Sequence, residues 1–319
     1  MALSNIFNTF NLVYITVLRS IERPIVGTVI LTSSMLVKVV LNIGLTLGSF
    51  GLPGLGVVGA GLATLIARLI EFIIIIVHMY HNKFFRVKLD CVLHPGMDMF
   101  KKYLANAGTV VINETIWGMG MSSISNVMSH MKDSASILTA YSISASVEQL
   151  ASSLTSGIAS AIAVVVGIEV GSERPKEVIK EIAYALCVIA TAMGVLAGGL
   201  FFYLGEAVGP AVIYPMYDLV DSTAKICGIM ITMKAILLPL RSLNNAIVIG
   251  ILRGGGDVHV AAFIDVLPLW LAAVPYAVIV GKLGLGIVWV ELSYFVQHVT
   301  QFISGFARLR SGKWIKDMT

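Results

Sequence analysis

Long runs of apolar residues alternate with short polar or glycine-rich segments along the whole chain. A helix needs about 20 apolar residues to cross the hydrocarbon core of a bilayer. Nine runs approach or exceed that length, and we predict a membrane-spanning helix in each of them. The predicted spans are Ser4–Leu18, Ile25–Leu47, Val57–Met79, Tyr103–Met128, Ile137–Val170, Ile182–Leu204, Ala224–Leu252, Val258–Val280 and Ile287–Phe306. The pattern therefore predicts an all-α, polytopic integral membrane protein with about nine transmembrane helices.

The composition favours the same class of protein. Of the 319 residues, 57% are hydrophobic and only 13% are charged, and the mean hydropathy is +0.89. A soluble domain carries about 25% charged residues, so this chain has too few charges to cover a water-facing surface. An ordinary soluble enzyme and a disordered chain are thereby excluded, and a lipid bilayer is the expected partner. Nucleic acid is not an expected partner, because no basic run is interleaved with aromatic residues.

The Lys and Arg residues are distributed unevenly between alternate loops. If the first span ends in the cytoplasm, the loops on that side contain 15 of these residues, and the opposite loops contain only Lys132 and Lys282. Cytoplasmic loops of membrane proteins carry an excess of Lys and Arg. We therefore expect a multi-pass protein of the cell membrane, with its C-terminus in the cytoplasm.

Two glycine-rich segments of similar sequence lie far apart in the chain. The first segment, Gly51–Thr64, contains Pro-Gly-Leu-Gly, and the second, Gly281–Ser293, contains Leu-Gly-Leu-Gly. In both, the motif lies at the start of a long apolar run that is predicted to be helical. Internal repeats of this kind are typical of secondary transporters, in which the substrate route lies between the repeated parts.

The first of these segments belongs to a set of motifs that resembles a known family. The motifs, in chain order, are Leu41–Thr64, which contains Gly-Leu-Pro-Gly-Leu-Gly-Val-Val-Gly-Ala; Asn113–Gly120; Asn244–Asp257, which ends Leu-Arg-Gly-Gly-Gly-Asp; Trp270 and Pro275; and Arg310–Thr319. In residue type and in order they resemble the MATE (multidrug and toxic compound extrusion) family of transporters.

The resemblance implies a fold of twelve helices in two six-helix lobes around a central cleft. The nine spans of this chain would match the fourth to the twelfth helix, so the first lobe is expected to be incomplete. Residues 1–80 are then a partial N-terminal lobe, 81–96 a cytoplasmic loop between the lobes, and 97–319 a complete C-terminal lobe. A separate chain that supplies the three missing helices is one expected partner.

Glu114 is the first candidate for a coupling site, because a charge inside a bilayer is costly and is therefore a functional hypothesis. It lies between Asn113 and Trp117, and by resemblance it matches a Glu that helps to form a cation site in sodium-coupled members. Asn244 and Asn245 stand near the position at which those members have an Asp. Amide oxygens can coordinate a cation but cannot titrate. A purely structural carboxylate is the competing interpretation of Glu114.

Four further residues complete the candidate site. Lys234 and Arg241 are seven residues apart and should share one face of a helix. Cations that face the cleft would either repel cationic compounds or pair with Glu114 and Asp265, and for Lys234 we expect an internal ion pair of this kind. Asp265 and Trp270 are expected to line the cleft, and for Asp265 a coupling role and a structural ion pair are both open.

The remaining ionisable residues inside the spans are expected to be structural. Arg68 and Glu71 have the i, i+3 spacing of a helical ion pair. Glu148, Glu291 and His298 are interpreted as polar contacts between helices.

The function that these features predict is a secondary active antiporter, active in multidrug efflux, that exports organic and mainly cationic compounds in exchange for Na⁺ or H⁺. Two alternatives stay open: a non-transporting fragment or subunit of a split transporter, and a flippase for lipid-linked saccharides. An enzyme is not expected, because no catalytic set of residues appears. Cys91, Cys187 and Cys227 are too far apart for a metal site, so no metal and no cofactor other than the coupling ion is expected.

Overall fold

The computed structural model describes residues 2–20, 24–48, 51, 54–81, 96–172, 174–217 and 219–316. Within these ranges the chain forms nine helical rods and no strand. The helices are α1 (Ala2–Ser20), α2 (Pro24–Leu47), α3 (Gly56–His81), α4 (Met97–Ser129), α5 (Ser134–Gly171), α6 (Lys176–Tyr203), α7 (Asp221–Asn245), α8 (Val258–Pro268) and α9 (Ile287–Ser311). Each of the nine predicted spans lies on one of them, which confirms the all-α prediction.

Three of the rods continue beyond these bounds as π-helix. The continuation of α6 is Leu204–Ile213 with a last short turn at Tyr214–Met216, and that of α8 is Leu269–Ala273 followed by the α-helical Val274–Lys282. The continuation of α7 is Ala246–Arg253. The wider turns of a π-helix are frequent at functional sites. As a consequence, the α7 rod ends at Arg253, one residue beyond the predicted span, and includes a charged side chain that lies outside that span.

The outer surface of the helices is largely apolar. Large apolar side chains are exposed along most of the rods, among them Ile25, Leu150, Val188 and Leu271. Six rods are long and apolar enough to cross a membrane by themselves, whereas α1, α4 and α9 contain more polar residues. A continuous apolar exterior of this kind is stable only against lipid or another apolar surface, so the rods are those of a membrane protein.

Part of the predicted loop between the lobes lies outside the described residues. This part is 82–95, which includes Cys91. The other two cysteines, Cys187 and Cys227, are buried free thiols.

The described residues divide into two compact units, Met1–Met99 and Phe100–Thr319. In the first, α1 to α3 pack around a small apolar core whose buried members are Tyr14, Ile15, Leu18, Ile30 and Ile75. Beside this core, Glu71 is completely buried on α3. Arg68 lies 2.7 Å from its Oε2 atom, and the Ser34 hydroxyl donates to the same oxygen at 2.9 Å. The i, i+3 ion pair is therefore present, and it serves the packing of α2 on α3.

The second unit contains α4 to α9 and two larger apolar cores. Its tightest helix contact is between α6 and α7. A Cβ atom at Gly194 would lie 2.8 Å from the Cα of Pro239, so only glycine allows the two backbones to approach this closely. The rigid α6–α7 pair holds the polar face of α7 toward the interior of the unit.

A glycine turn joins α7 to α8 and packs against the C-terminal end of α9. A Cβ atom at Gly255 would overlap the buried ring of Trp314, and Gly256 has a φ of 89° that suits glycine. The next residue, Asp257, has no exposed surface. Its carboxylate lies 2.7 Å from Arg308 Nε and 2.6 Å from Lys316 Nζ. Burial alone would raise the pKa of Asp257, but the hydrogen bonds and charges of Arg308 and Lys316 hold that pKa below its ordinary value.

Replacing this carboxylate, Asp257→Asn, is expected to lower the free energy of unfolding by about 3 kcal/mol at neutral pH, because two cations lose their buried partner. A carboxylate with a lowered pKa in the folded protein stabilises it above the unfolded pKa of about 3.9. The stabilisation is lost as the pH falls through the lower folded pKa. Thermal unfolding in lipid nanodiscs should therefore separate parent and variant at pH 7 and bring them together only when the pH falls below the lowered pKa of folded Asp257. A constant difference across this range would contradict the assignment.

Candidate functional site

A cavity of about 340 Å³ lies inside the second unit, between α4, α5, α7, α8 and α9. Ligand pockets in proteins have volumes of about 300–1,000 Å³. Its wall contains five charged side chains, which are Glu114, Glu148, Lys234, Arg241 and Asp265. Charges are costly inside a membrane protein and usually face a cavity or a partner, so this cavity is the candidate functional site.

One charged cluster on the wall is centred on Glu148 of α5. Lys234 Nζ lies 3.1 Å from its carboxylate, and Arg241 forms a second ion pair with it. The Lys234 ammonium also donates to Ser144 Oγ at 3.0 Å and lies 4.9 Å from the centre of the Tyr141 ring. The two cations share one carboxylate, so this cluster, the Glu148 cluster, has an excess of one positive charge.

The predicted partner of Lys234 was therefore wrong. The sequence pattern favours Glu114 or Asp265 as its partner, whereas in the structure Lys234 pairs with Glu148. The predicted common face of Lys234 and Arg241 is confirmed, because both side chains reach the same carboxylate. Lys234 and Arg241 are two turns apart on α7, and their long side chains are able to reach the same carboxylate from there.

A second charged cluster is centred on Asp265 of α8. Asn113 Nδ2 donates to Oδ2 at 3.0 Å, Arg253 Nη2 donates to the same oxygen at 3.2 Å, and Gln301 Nε2 donates to Oδ1 at 2.9 Å. Three donors from three helical rods satisfy this carboxylate and stabilise its ionised form. We call this group the Asp265 cluster. Both oxygen atoms of its carboxylate accept hydrogen bonds.

Glu114 is held much more loosely than Asp265. It has an exposed fraction of 55%, and its ion pair is with Arg253 at 3.5 Å. The guanidinium thus lies between two carboxylates and is closer to Asp265. Two acids with one cation leave the Asp265 cluster, Glu114 included, with an excess of one negative charge. The cavity wall therefore has a positive part at Glu148 and a negative part at Glu114.

The other predicted site residues have separate places. Trp117 and Asn245 line the cavity beside Glu114, whereas Asn244 is buried and donates to the backbone oxygen of His298 at 2.8 Å. Trp270 Nε1 donates to the backbone oxygen of Ile116 at 3.0 Å, so this indole connects α8 to α4.

Arg253 and Gln301 are the site residues that the sequence analysis missed. Arg253 was assigned to a loop because the apolar run ends at Leu252, and Gln301 carries no charge that would draw attention. Glu148 was interpreted as a contact between helices, although two cations on one face of α7 require a carboxylate from another span. That requirement is the signal that could have identified Glu148.

In chemical terms the cavity can bind charged groups and exchange partners among them. Among the described residues, no group of three or more His, Cys, Asp and Glu side chains is placed to hold a metal ion. The groups that can exchange partners are the weakly held Glu114 and Arg253, which lies between Glu114 and Asp265. Lys234 and Arg241, which share Glu148, can do so as well. A cation that enters the cavity could pair with Glu114 while Arg253 keeps its contact with Asp265.

Comparisons with known proteins support one fold. No protein-family model matches the sequence. The uncharacterized transporter YisQ of Bacillus subtilis (strain 168) is 24% identical over 284 residues, which are 86% of this chain and 59% of that protein. The chain thus spans about three fifths of the length of this curated relative.

Solved transporter structures are similar to nearly all of this chain, among them the following two. The outward-facing conformation of a multidrug resistance MATE family transporter of the MOP superfamily has a TM-score of 0.78 at 17% identity, covering 96% of this chain and 67% of that one. A MOP superfamily transporter from Pyrococcus furiosus Vc1, for which a reverse polarity of the binding pocket suggests a different function, has a TM-score of 0.77 at 17% identity, covering 97% and 68%. The resemblance found in the sequence is therefore confirmed at the level of the fold, and the chain has the all-α, membrane-spanning fold of the MATE transporters.

Proposed function

We propose that this chain acts in a secondary active antiporter that exports organic, mainly cationic, compounds in exchange for Na⁺ or H⁺. The fold supports transport, since the similar solved structures are those of transporters. The curated relative is also described as a transporter, without a substrate. The proposal concerns the whole protein, of which the chain spans about three fifths by comparison with that relative.

The observation that carries the proposal is the position of Glu114. Its carboxylate faces the cavity and is half exposed, and among the described residues its ion pair is the long contact with Arg253. A ligand cation can take the place of that contact at little cost, because Arg253 retains Asp265 as a partner 3.2 Å away. When an organic cation or a coupling ion binds to Glu114, Arg253 therefore still has a carboxylate partner. Competition between the organic cation and the coupling ion for the Glu114 carboxylate is the simplest physical basis for exchange.

Replacing Glu114 by Gln tests this proposal. We expect the variant Glu114→Gln to bind a fluorescent organic cation about tenfold more weakly, because the ligand loses its ionic partner. Exchange of that cation in vesicles, driven by a Na⁺ or H⁺ gradient, should fall in parallel. Glu177→Gln is the matched control, since Glu177 is exposed at the start of α6 and outside the cavity. Equal exchange by parent and Glu114→Gln would contradict the role of Glu114.

The Glu148 cluster favours a second candidate function, a flippase for lipid-linked saccharides. Its excess positive charge, from Lys234 and Arg241, would suit the pyrophosphate group of such a lipid. A prenyl pyrophosphate that binds in the cavity and displaces the organic cation only weakly would favour this candidate. Absence of transport of either compound would favour a fragment that is inactive without another chain.

The location that we propose is the plasma membrane, with the C-terminus in the cytoplasm. This orientation rests on the excess of Lys and Arg in alternate loops. Labelling of a cysteine placed after Trp314 by a membrane-impermeant reagent, in intact and in permeabilised cells, tests it. Labelling in intact cells would reverse the orientation.

A further inference from the structure

Glu291 is a buried acid that the proposed exchange at Glu114 does not use. It is the fifth residue of α9 and has an exposed fraction of 1%. Its Oε1 atom is buried without a hydrogen-bond partner, and no described residue forms an ion pair with its carboxylate. The other buried acids of this unit differ sharply, because Glu148, Asp257 and Asp265 each have at least two donors.

Ionising a carboxyl group in this position is costly unless it gains a new partner. Removing a charge from water is costly unless hydrogen bonds or an opposite charge replace the lost hydration. In the described structure Glu291 Oε1 accepts no hydrogen bond and the carboxylate is in no ion pair, whereas the protonated carboxyl group carries no charge. The neutral form, with a bound proton, is therefore the form that fits this conformation.

The charges that act on Glu291 come from the Glu148 cluster. Lys234 of α7 attracts an ionised Glu291, and Glu148 of α5 repels it. The hydroxyl of Tyr294, one turn further along α9, lies 3.5 Å from that of Tyr141. Among the described residues, Lys234 is the cation whose charge acts on Glu291.

The remaining charged groups near α9 are occupied further along the helix. Arg253, on the π-helical continuation of α7, and Asp265 of α8 form one pair, and Asp265 also binds Gln301, ten residues beyond Glu291. The other ionisable side chains on the α8 rod are His259, Tyr276 and Lys282, and no ion pair with Glu291 is formed by any of them in the described structure.

Ionisation of Glu291 would balance the charges of Lys234 and Arg241. With Glu291 neutral, Lys234 and Arg241 share Glu148 alone, and one positive charge is uncompensated. With Glu291 ionised, two carboxylates face two cations. An organic cation bound in the same cavity adds another positive charge and so favours the ionised form of Glu291.

We propose that Glu291 is a proton-binding site of the transport cycle, and that Lys234 takes the place of the proton when Glu291 ionises. The proton leaves the carboxyl group for water, Lys234 Nζ moves from Glu148 to Glu291, and Arg241 remains with Glu148. Entry of the organic cation and loss of the proton thereby favour each other. This inference rests on the proposed function, and it selects H⁺ as the coupling ion.

Infrared difference spectroscopy on the full chain in lipid nanodiscs tests the site without any transport. Addition of a permanently charged organic cation to the parent should remove a protonated-carboxyl band and release a proton to a pH indicator dye. Both signals should be lost in Glu291→Gln and kept in the control Glu177→Gln. In Glu291→Asp the band should remain at a shifted position, which shows that the bundle is intact.

Variants at Lys234 and at Glu114 separate the possible outcomes. Lys234→Met should keep the protonated band but release no proton when the cation binds, because the replacing charge is absent. A band that persists in Glu291→Gln, or proton release that is unchanged in it, would overturn the inference while leaving the antiporter proposal intact. If the parent releases a proton from Glu291 but Glu114→Gln exchanges cations normally, the role of Glu114 fails and that of Glu291 stands.

Discussion

Replacement of Glu148 by Gln should destabilise the protein more than any other single change in the cavity. Lys234, which has an exposed fraction of 7%, and Arg241 would lose the carboxylate that they share. Removing one member of a buried ionic group costs about 3–5 kcal/mol, because the remaining charges are left unpaired. Urea or thermal unfolding in nanodiscs measures the change for Glu148→Gln.

An ion pair whose cation is exposed to solvent and a double variant control this result. Glu169 lies 3.0 Å from Arg174, whose side chain is 53% exposed, so Glu169→Gln should cost less than about 1 kcal/mol. The double variant Glu148→Gln, Lys234→Met should recover much of the stability, since replacing a buried ion pair by apolar or neutral groups is often nearly neutral. If the double variant is less stable than Glu148→Gln alone, Lys234 is not the residue that Glu148 neutralises.

The helices of this protein could be predicted from the sequence because lipid imposes a simple rule on them. Each span must be apolar over a length set by the bilayer, so nine apolar runs became nine rods in the described structure. The end of α7 could not be placed in the same way. Arg253 looks like a loop charge by hydropathy, but the helix continues to it because Asp265 and Glu114 lie within its reach.

The charged pairs of the site were harder to predict than the residues that form them. The acids Glu114 and Asp265 and the base Lys234 were identified because charges inside spans are costly. Their partners come from helices that are distant in sequence, such as Glu148 for Lys234, 86 residues away. Periodicity gives the face of a helix but not its neighbour, so Lys234 was assigned the wrong partner. Only packing shows that α5 and α7 are adjacent.

Replacement of Asp265 by Asn should affect both stability and binding, since this carboxylate accepts from three donors. The amide of Asp265→Asn keeps one oxygen, and its own NH₂ group would face donors from Asn113, Arg253 and Gln301. We expect a loss of about 3 kcal/mol in the free energy of unfolding. We also expect binding of the organic cation to weaken about tenfold, because Arg253 loses its nearer partner and pairs fully with Glu114.

The effect on binding distinguishes this mechanism from general damage to the fold. Adding Arg253→Gln to Asp265→Asn frees Glu114 again, so the double variant should bind the cation more tightly than Asp265→Asn although it is no more stable. Arg253→Gln alone should also bind it more tightly than the parent. Asp221→Asn, at the exposed start of α7, should change neither quantity. If affinity merely follows stability through this series, Arg253 does not compete with the ligand, and the negative part of the cavity is a fixed structural element.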